Sequence, residues 1–207
     1  MSEPTFDVTI LDPRAEFLRD KGKNITSQFG EDGYIQALFE RIGVTNKWCF
    51  EVGAHDGLYL SNTKWMRDAG WNAVLIESEI DRMPELEKHA SDKVHVTKAW
   101  LDTGLTLDTV LDGVRWEHKA DIPDDLDFGC IDIDGQDYYV WLDLVRYRPR
   151  VMLVEFSPYQ EPEFLPKLNG EGQAGLVPIV NLARAKGYIP LLHSYCNLLA
   201  VREDAWK

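Results

Sequence analysis

Lys47-Trp48-Cys49-Phe50-Glu51-Val52-Gly53-Ala54-His55-Asp56-Gly57 changes character within a few residues. Trp48, Cys49, Phe50 and Val52 make a short apolar run of the kind that buries as a strand. Glu51, Gly53, His55, Asp56 and Gly57 then turn it polar, and the glycines allow positive φ and close approach of a ligand to the backbone. Ser61, Asn62 and Thr63 are capping residues ahead of Trp65 and Met66, so a helix is expected to follow. Strand, glycine turn and helix together hold nucleotide-like ligands at the C-terminal edge of a sheet. A plain strand-to-helix turn fits the same residues.

Two ligand-binding patterns separate by spacing. A dinucleotide fingerprint needs glycines at 53, 55 and 58, where the chain has Gly53, His55 and Leu58, so an NAD-dependent oxidoreductase is opposed. The acid-x-G-x-G-x-G pattern of S-adenosylmethionine (SAM) sites fits Glu51, Gly53 and Gly57, with His55 in place of the middle glycine.

Outward from that turn, strand-like and helix-like segments alternate. Residues 1–24 have little periodicity and are expected to be a leader before a domain spanning 25–207. Ser27 to Ile42 predicts an amphipathic helix, with Ile35, Leu38, Phe39 and Ile42 on one face. Its glycine-rich lead-in, Ser27 to Gly33, is either a cap or a lid over a pocket. Asn72 to Glu77 and Lys93 to Lys98 predict the second and third strands. Phe128 to Gly135 predicts the fourth strand and its mouth, and Val151 to Val154 the fifth. Helices are expected over 62–69, 84–90, 105–111, 138–145 and 176–186. The segment from Gln160 to Gly175 is rich in Pro, Gly and Glu and reads as a loop over the site. Tyr188 to Leu192 and Cys196 to Val201 read as a closing hairpin. The expected fold class is α/β, a mainly parallel sheet with helices on both faces and an antiparallel C-terminal pair.

Composition narrows the function. The 207 residues carry a formal net charge of −13, which opposes binding to a phosphate backbone, so nucleic acid is a poor partner. Arg146, Arg148 and Arg150 form the densest basic group and are read as a solvated edge. No apolar run approaches the roughly 20 residues of a membrane span. The N-terminus has no secretory pattern, and Cys49, Cys130 and Cys196 are read as reduced core thiols, which together suggest a cytoplasmic protein. Trp65, Trp71 and Tyr159 are candidates for a homo-oligomer interface.

Taken together, Ser27-Gln28-Phe29-Gly30-Glu31-Asp32-Gly33, Glu51 to Gly57 with Ser61-Asn62-Thr63, Ile131 to Tyr138 with Trp141, and Val154-Glu155-Phe156 resemble the FkbM-type SAM-dependent methyltransferases. The resemblance spans about residues 25–202. It implies a class I (Rossmann-like) methyltransferase fold, a seven-stranded sheet in the order 3-2-1-4-5-7-6 with strand 7 antiparallel. It also implies methyl transfer from SAM to a hydroxyl of a sugar, polysaccharide or other small natural-product acceptor. Relatives often carry Asn where this chain has Ser157. A catalytically silent SAM-fold module or partner subunit is the alternative. Ser157-Pro158-Tyr159 is similar to the motif of DNA amino-methyltransferases but follows the wrong strand and lacks its leading residue.

In the SAM reading, Glu51 orients the loop or accepts from the methionine amine, with Gly53, Ala54, His55 and Gly57 close to the ligand. Glu77, an acid ending strand 2, takes the ribose hydroxyls, and Ala99 and Trp100 flank the adenine. Gln28 and Asn62 bind the methionine end or the ribose. Asp132 and Asp134 alternate along a strand and so point the same way. With Asp137 and Glu155 they form a carboxylate cluster, in which either Asp132, Asp134 and Glu155 ligate Mg²⁺ or the acids bind SAM's amine, cap the helix at Tyr138 and hydrogen-bond the acceptor. Asp134, Glu155 and His193 are the candidate catalytic groups, and His55 is a further candidate base.

Overall fold

The computed structural model describes residues 6–102 and 104–206. Its strands are β1 (Val8–Ile10), β2 (Trp48–Val52), β3 (Asn72–Glu77), β4 (Val94–Lys98), β5 (Phe128–Ile131), β6 (Val151–Glu155), β7 (Tyr188–Ser194) and β8 (Asn197–Arg202). The helices are α1 (Glu31–Ile42), α2 (Lys64–Asp68), α3 (Met83–Leu86), α4 (Leu107–Glu117), α5 (Asp137–Asp143) and α6 (Leu176–Ala185). All eight strands form one sheet in the order β4-β3-β2-β5-β6-β8-β7-β1. From β4 to β6 the neighbours are parallel, while β8 runs antiparallel to both β6 and β7. This is the expected class I order with one strand more.

The extra strand comes from the segment read as a leader. Val8–Ile10 pairs antiparallel with β7, and a 3-10 turn over Pro13–Leu18 buries Ala15 and Leu18 completely. Lack of periodicity hid this, because three residues are too few to show alternation. Residues 1–5 of the expected leader lie outside the described residues.

Side-chain alternation along the central strands builds two cores. Trp48, Phe50 and Val52 of β2 and Met152 and Val154 of β6 face α4, α5 and α6. Cys49 of β2, Cys130 of β5 and Val151 and Leu153 of β6 face α1. Gly129 of β5 faces the first core without a side chain because a Cβ there would lie 2.5 Å from Cζ of Phe50. Parity along β2, β6 and β8 puts Glu51, Glu155 and Asn197 on the α1 face, at or near the end where the parallel strands finish.

At the opposite end of the sheet, Arg150 is buried and pairs with buried Asp127 at 2.7 Å. Asp127 also accepts from the backbone N–H groups of Thr45, Asn46 and Lys47, which fastens the turn entering β2. Arg150 therefore does not belong to a solvated edge. Trp71 is also buried, packed edge-on against Trp65 with ring centroids 6.2 Å apart, whereas Tyr159 is exposed. Cys49, Cys130 and Cys196 are free and buried. No helix among the described residues is long and apolar enough to cross a membrane.

Candidate active site

The turn after β2 is built on Gly53. Its φ is +81°, and a Cβ there would stand 1.7 Å from the carbonyl oxygen of Asp132. Only glycine lets β2 and β5 end so close together. The Gly53 and Ala54 N–H groups both donate to the Ile76 carbonyl at 3.0 Å, holding the turn against β3. Beneath it, Glu51 accepts from the Ser61 and Thr63 hydroxyls and the Asn62 N–H at 2.6–2.7 Å. Burial pushes the Glu51 carboxyl above its ordinary range, and those donors partly offset the rise.

Two cavities open at the sheet's C-terminal edge. One, of about 340 Å³, is walled by Val52, Ile76, Ala99, Trp100 and Ile133, with Ser78, Asp102 and Gln136 as polar groups. The other, of about 210 Å³, is walled by Gln28, Glu31, Glu51, Asn62, His55 and Tyr59 on one side and by Asp132, Glu155 and Asn197 on the other. Gly53 and Asp134 line both, so the cavities meet over the end of β2. The first chamber is mainly apolar, and the second is lined by carboxyl and amide groups. Asn62 is buried, and its Oδ1 has no hydrogen-bond partner among the described residues. An ammonium group would satisfy it, so the residues present fit SAM.

The lead-in to α1 is both cap and wall. Asp32 accepts from the N–H groups of Ile25, Thr26 and Ser27, and Ser27 Oγ accepts from the Asp32 N–H. That reciprocal lock leaves Gln28 and Glu31 facing the cavity.

The acids do not form a metal centre. Among the described residues no three His, Cys, Asp or Glu side chains are arranged to hold a metal ion, so the Mg²⁺ reading of Asp132, Asp134 and Glu155 does not fit. Instead the Asp132 and Glu155 carboxyls stand together in the wall of the acid-lined cavity. Burial and the neighbouring Glu155 charge raise Asp132 well above its ordinary value, and burial raises Glu155. Asp137, fully buried at the start of α5, is pushed up to about 7 by burial and by the Glu155 charge. Asp137 accepts from the Ile133 and Gly135 N–H groups. Gln173, from the loop after β6, donates to Glu155 at 2.6 Å and to Asp137 at 3.2 Å. Asp134 does not continue the β5 alternation. The strand ends at Ile131, and Asp134 has φ +55°, a conformation costly for a non-glycine residue, with an exposed side chain.

Four expected site residues lie outside both cavities. Glu77 is buried beneath the turn, where it accepts from the N–H groups of His55, Ser78 and Glu79. Gly57, at φ +75°, turns toward Leu86 and His89; a Cβ would lie 2.8 Å from the His89 ring. Ala54 is packed into the core on the α1 face. His193 stacks edge-on against Phe156 with centroids 5.5 Å apart, and its Nδ1 lies 3.2 Å from the Ser194 carbonyl oxygen. Glu31, Asn197, Ser78, Asp102 and Gln136 line the cavities without having been read as site residues. Glu31 and Gln136 lie within segments singled out in the sequence, whereas fold topology alone brings Asn197, Ser78 and Asp102 there.

No family model matches the sequence, and no curated protein matches it. Solved structures do match. A candidate O-methyltransferase from Klebsiella pneumoniae aligns with a TM-score of 0.51 at 12% identity, over 92% of this chain and 90% of that one. An O-methyltransferase from Bacillus cereus in complex with SAH aligns with a TM-score of 0.51 at 16% identity, over 91% of this chain and 86% of that one. The METTL16 methyltransferase domain aligns with a TM-score of 0.50 at 14% identity, over 83% of this chain and 66% of that one. These findings correct the FkbM assignment, since what the chain shares is an architecture common to other methyltransferases. The chain has the class I, Rossmann-like fold of the SAM-dependent methyltransferases.

Proposed function

We propose that the protein is a SAM-dependent methyltransferase that methylates a hydroxyl group of a small or carbohydrate acceptor. The observation that carries this is the continuity of an apolar and an acid-lined cavity across Gly53 and Asp134. Ala99 and Trp100 would flank the adenine, with Ser78 and Asp102 within the same chamber for the ribose. Asn62 Oδ1 and Glu51 would receive the methionine ammonium. When bound, SAM supplies a sulfonium-activated methyl group.

The protein's own part is positioning and proton removal. Asp134 stands where the cavities meet, and among the described residues its carboxylate accepts no hydrogen bond, so it is free to take the hydroxyl proton. Glu155 accepts from the Asp134 N–H at 3.3 Å and steadies the turn that presents it. The upward shifts of Asp132 and Glu155 favour their neutral forms beside that base. His193 has no place in this scheme.

Calorimetric titration with SAM and SAH tests the cofactor, and SAH release in the presence of hydroxyl acceptors tests the transfer. Saturable binding of both ligands is expected. Failure of either to bind would overturn the assignment.

A further inference from the structure

The wall of the apolar chamber comes from two kinds of backbone. Most of its lining belongs to strand ends and the few residues that follow them, which the sheet holds in place. Asn169 and Gly170 are the exception, since they lie at the tip of the long connection between β6 and α6. Backbone hydrogen bonds close the base of that connection. There the Ser157 N–H donates to the Ala174 carbonyl, Gly175 to Phe164 and Val177 to Pro162, each at 2.8 Å. Among the described residues, the tip is tied to α5 and its cap only through their side chains. Gln136 Nε2 donates to the Gly170 carbonyl at 3.0 Å, and Gln136 Oε1 accepts from the Asn169 N–H at 2.8 Å. The Tyr139 hydroxyl donates to the Pro166 carbonyl at 2.8 Å. Gln136 stands at the N-cap of α5, yet its side chain makes no capping bond and is committed to the tip instead. Leu165 and Leu168, on either side of Pro166, are exposed, so burial of large apolar side chains does little to hold the tip down. A segment fastened in this way lies at the low-stability end of a fold and opens locally.

We propose that residues 166–170 are a clasp over the cofactor chamber, that Gln136 is the positioning residue that latches it, and that the clasp opens for cofactor to enter and leave. The inference rests on the methyl-transfer reading and extends it to how the cofactor is exchanged. Gln136 suits the task because one amide both donates to the tip and accepts from it, so lifting the tip breaks two bonds at once. Gln173, farther along the same connection, donates to Glu155 and Asp137. The connection is thus fastened to the acid cluster at one point and to the chamber at another. A clasp gates both directions of exchange, because only its open form admits or releases a ligand. A fixed wall behaves differently: loosening it speeds escape and leaves entry unchanged.

The test is stopped-flow association and dissociation of SAH on the full chain, with the unmodified protein, Gln136→Ala and Tyr139→Phe. Trp100, in the chamber wall, supplies the fluorescence signal. In Gln136→Ala both rates are expected to rise by about tenfold, the order expected for two lost hydrogen bonds. Tyr139→Phe should raise both by less. Hydrogen–deuterium exchange over 166–170, measured without SAH, is expected to quicken in each variant. Circular dichroism reports folding, and Tyr139→Phe, which removes a single hydroxyl, carries the test if Gln136→Ala does not fold. Unchanged association in a folded variant, whatever happens to dissociation, would overturn the proposal, as would unchanged exchange over 166–170. If SAH fails to bind the unmodified protein, the methyl-transfer reading falls, and the exchange data decide whether Gln136 latches the tip.

Discussion

Glu77 accepts a hydrogen bond from the backbone N–H of His55 at 2.7 Å, so the acid ending β3 anchors the turn that ends β2. Its other oxygen accepts from the Ser78 and Glu79 N–H groups. Glu77→Ala is therefore expected to lower stability by about 1–3 kcal/mol without any ligand, because buried donors lose a charged acceptor. Urea melts of the ligand-free protein check this. Unchanged stability with weakened SAM binding would return Glu77 to a ribose role.

Asp134→Asn separates binding from chemistry. SAM affinity by calorimetry is expected to stay close to that of the unmodified protein, while transfer falls by about 10²–10⁴-fold, the range for losing a general base. Normal turnover in this variant would remove Asp134 from proton transfer.

Asp137 gives stability a defined pH dependence. Its carboxyl titrates at about 7 in the folded protein, against an ordinary value of 3.8. Between those values the folded state binds more protons than the unfolded one, so stability falls as pH rises through that window. Asp132, Glu155 and Glu51, all shifted upward, act in the same direction. Asp127 is shifted downward, because Arg150 and the surrounding N–H donors outweigh its burial, so its contribution is lost as pH falls into the acid range. Thermal melts from pH 4 to 8 should show midpoints declining with pH, and more shallowly in Asp137→Asn. A midpoint rising steadily to pH 8 would contradict the upward shifts of these buried acids.

Asp127→Ala leaves the Arg150 guanidinium buried and unpaired and frees the N–H groups of Asn46 and Lys47. A loss of about 3–5 kcal/mol is expected. Replacing both partners, Asp127→Leu with Arg150→Met, should cost less than the single change. A double-mutant cycle by denaturant unfolding measures the difference.

Much of the sheet was legible because its strands announce themselves. Asn72–Glu77 is an apolar run closed by an acid, and the structure gives it the same bounds, whereas the run from Phe128 stops at Ile131, short of the expected mouth at Gly135. Helix ends were less legible. The pattern ending at Leu111 continues through Val114 to Glu117, where Trp116 is exposed and breaks the apolar rhythm. Glu51, Asp132 and Glu155, which line the acid cavity, were legible because they sit in or beside strand ends, and Asn62 because it stands just ahead of α2. Asn197 and Glu31 were not, because each is an ordinary polar residue until the fold brings β8 against α1. Glu77 shows the opposite case: its sequence position suits a ligand contact, but its carboxylate is taken up by the backbone around it. Asp134 was expected to follow strand alternation, and a left-handed turn overrode it.

The three residues of β1 carry a wider consequence. They cover Leu192, His193 and Ser194 of β7, and the N–H groups of Leu11 and Asp12 reach the Leu191 carbonyl. Below that point Pro190 offers no N–H to a newcomer. Without the opening segment, the upper half of β7 would stand bare as a template for another chain's backbone. That short strand thus closes the sheet's edge, and a protein lacking it is expected to self-associate through β7 even if the two cavities remain whole.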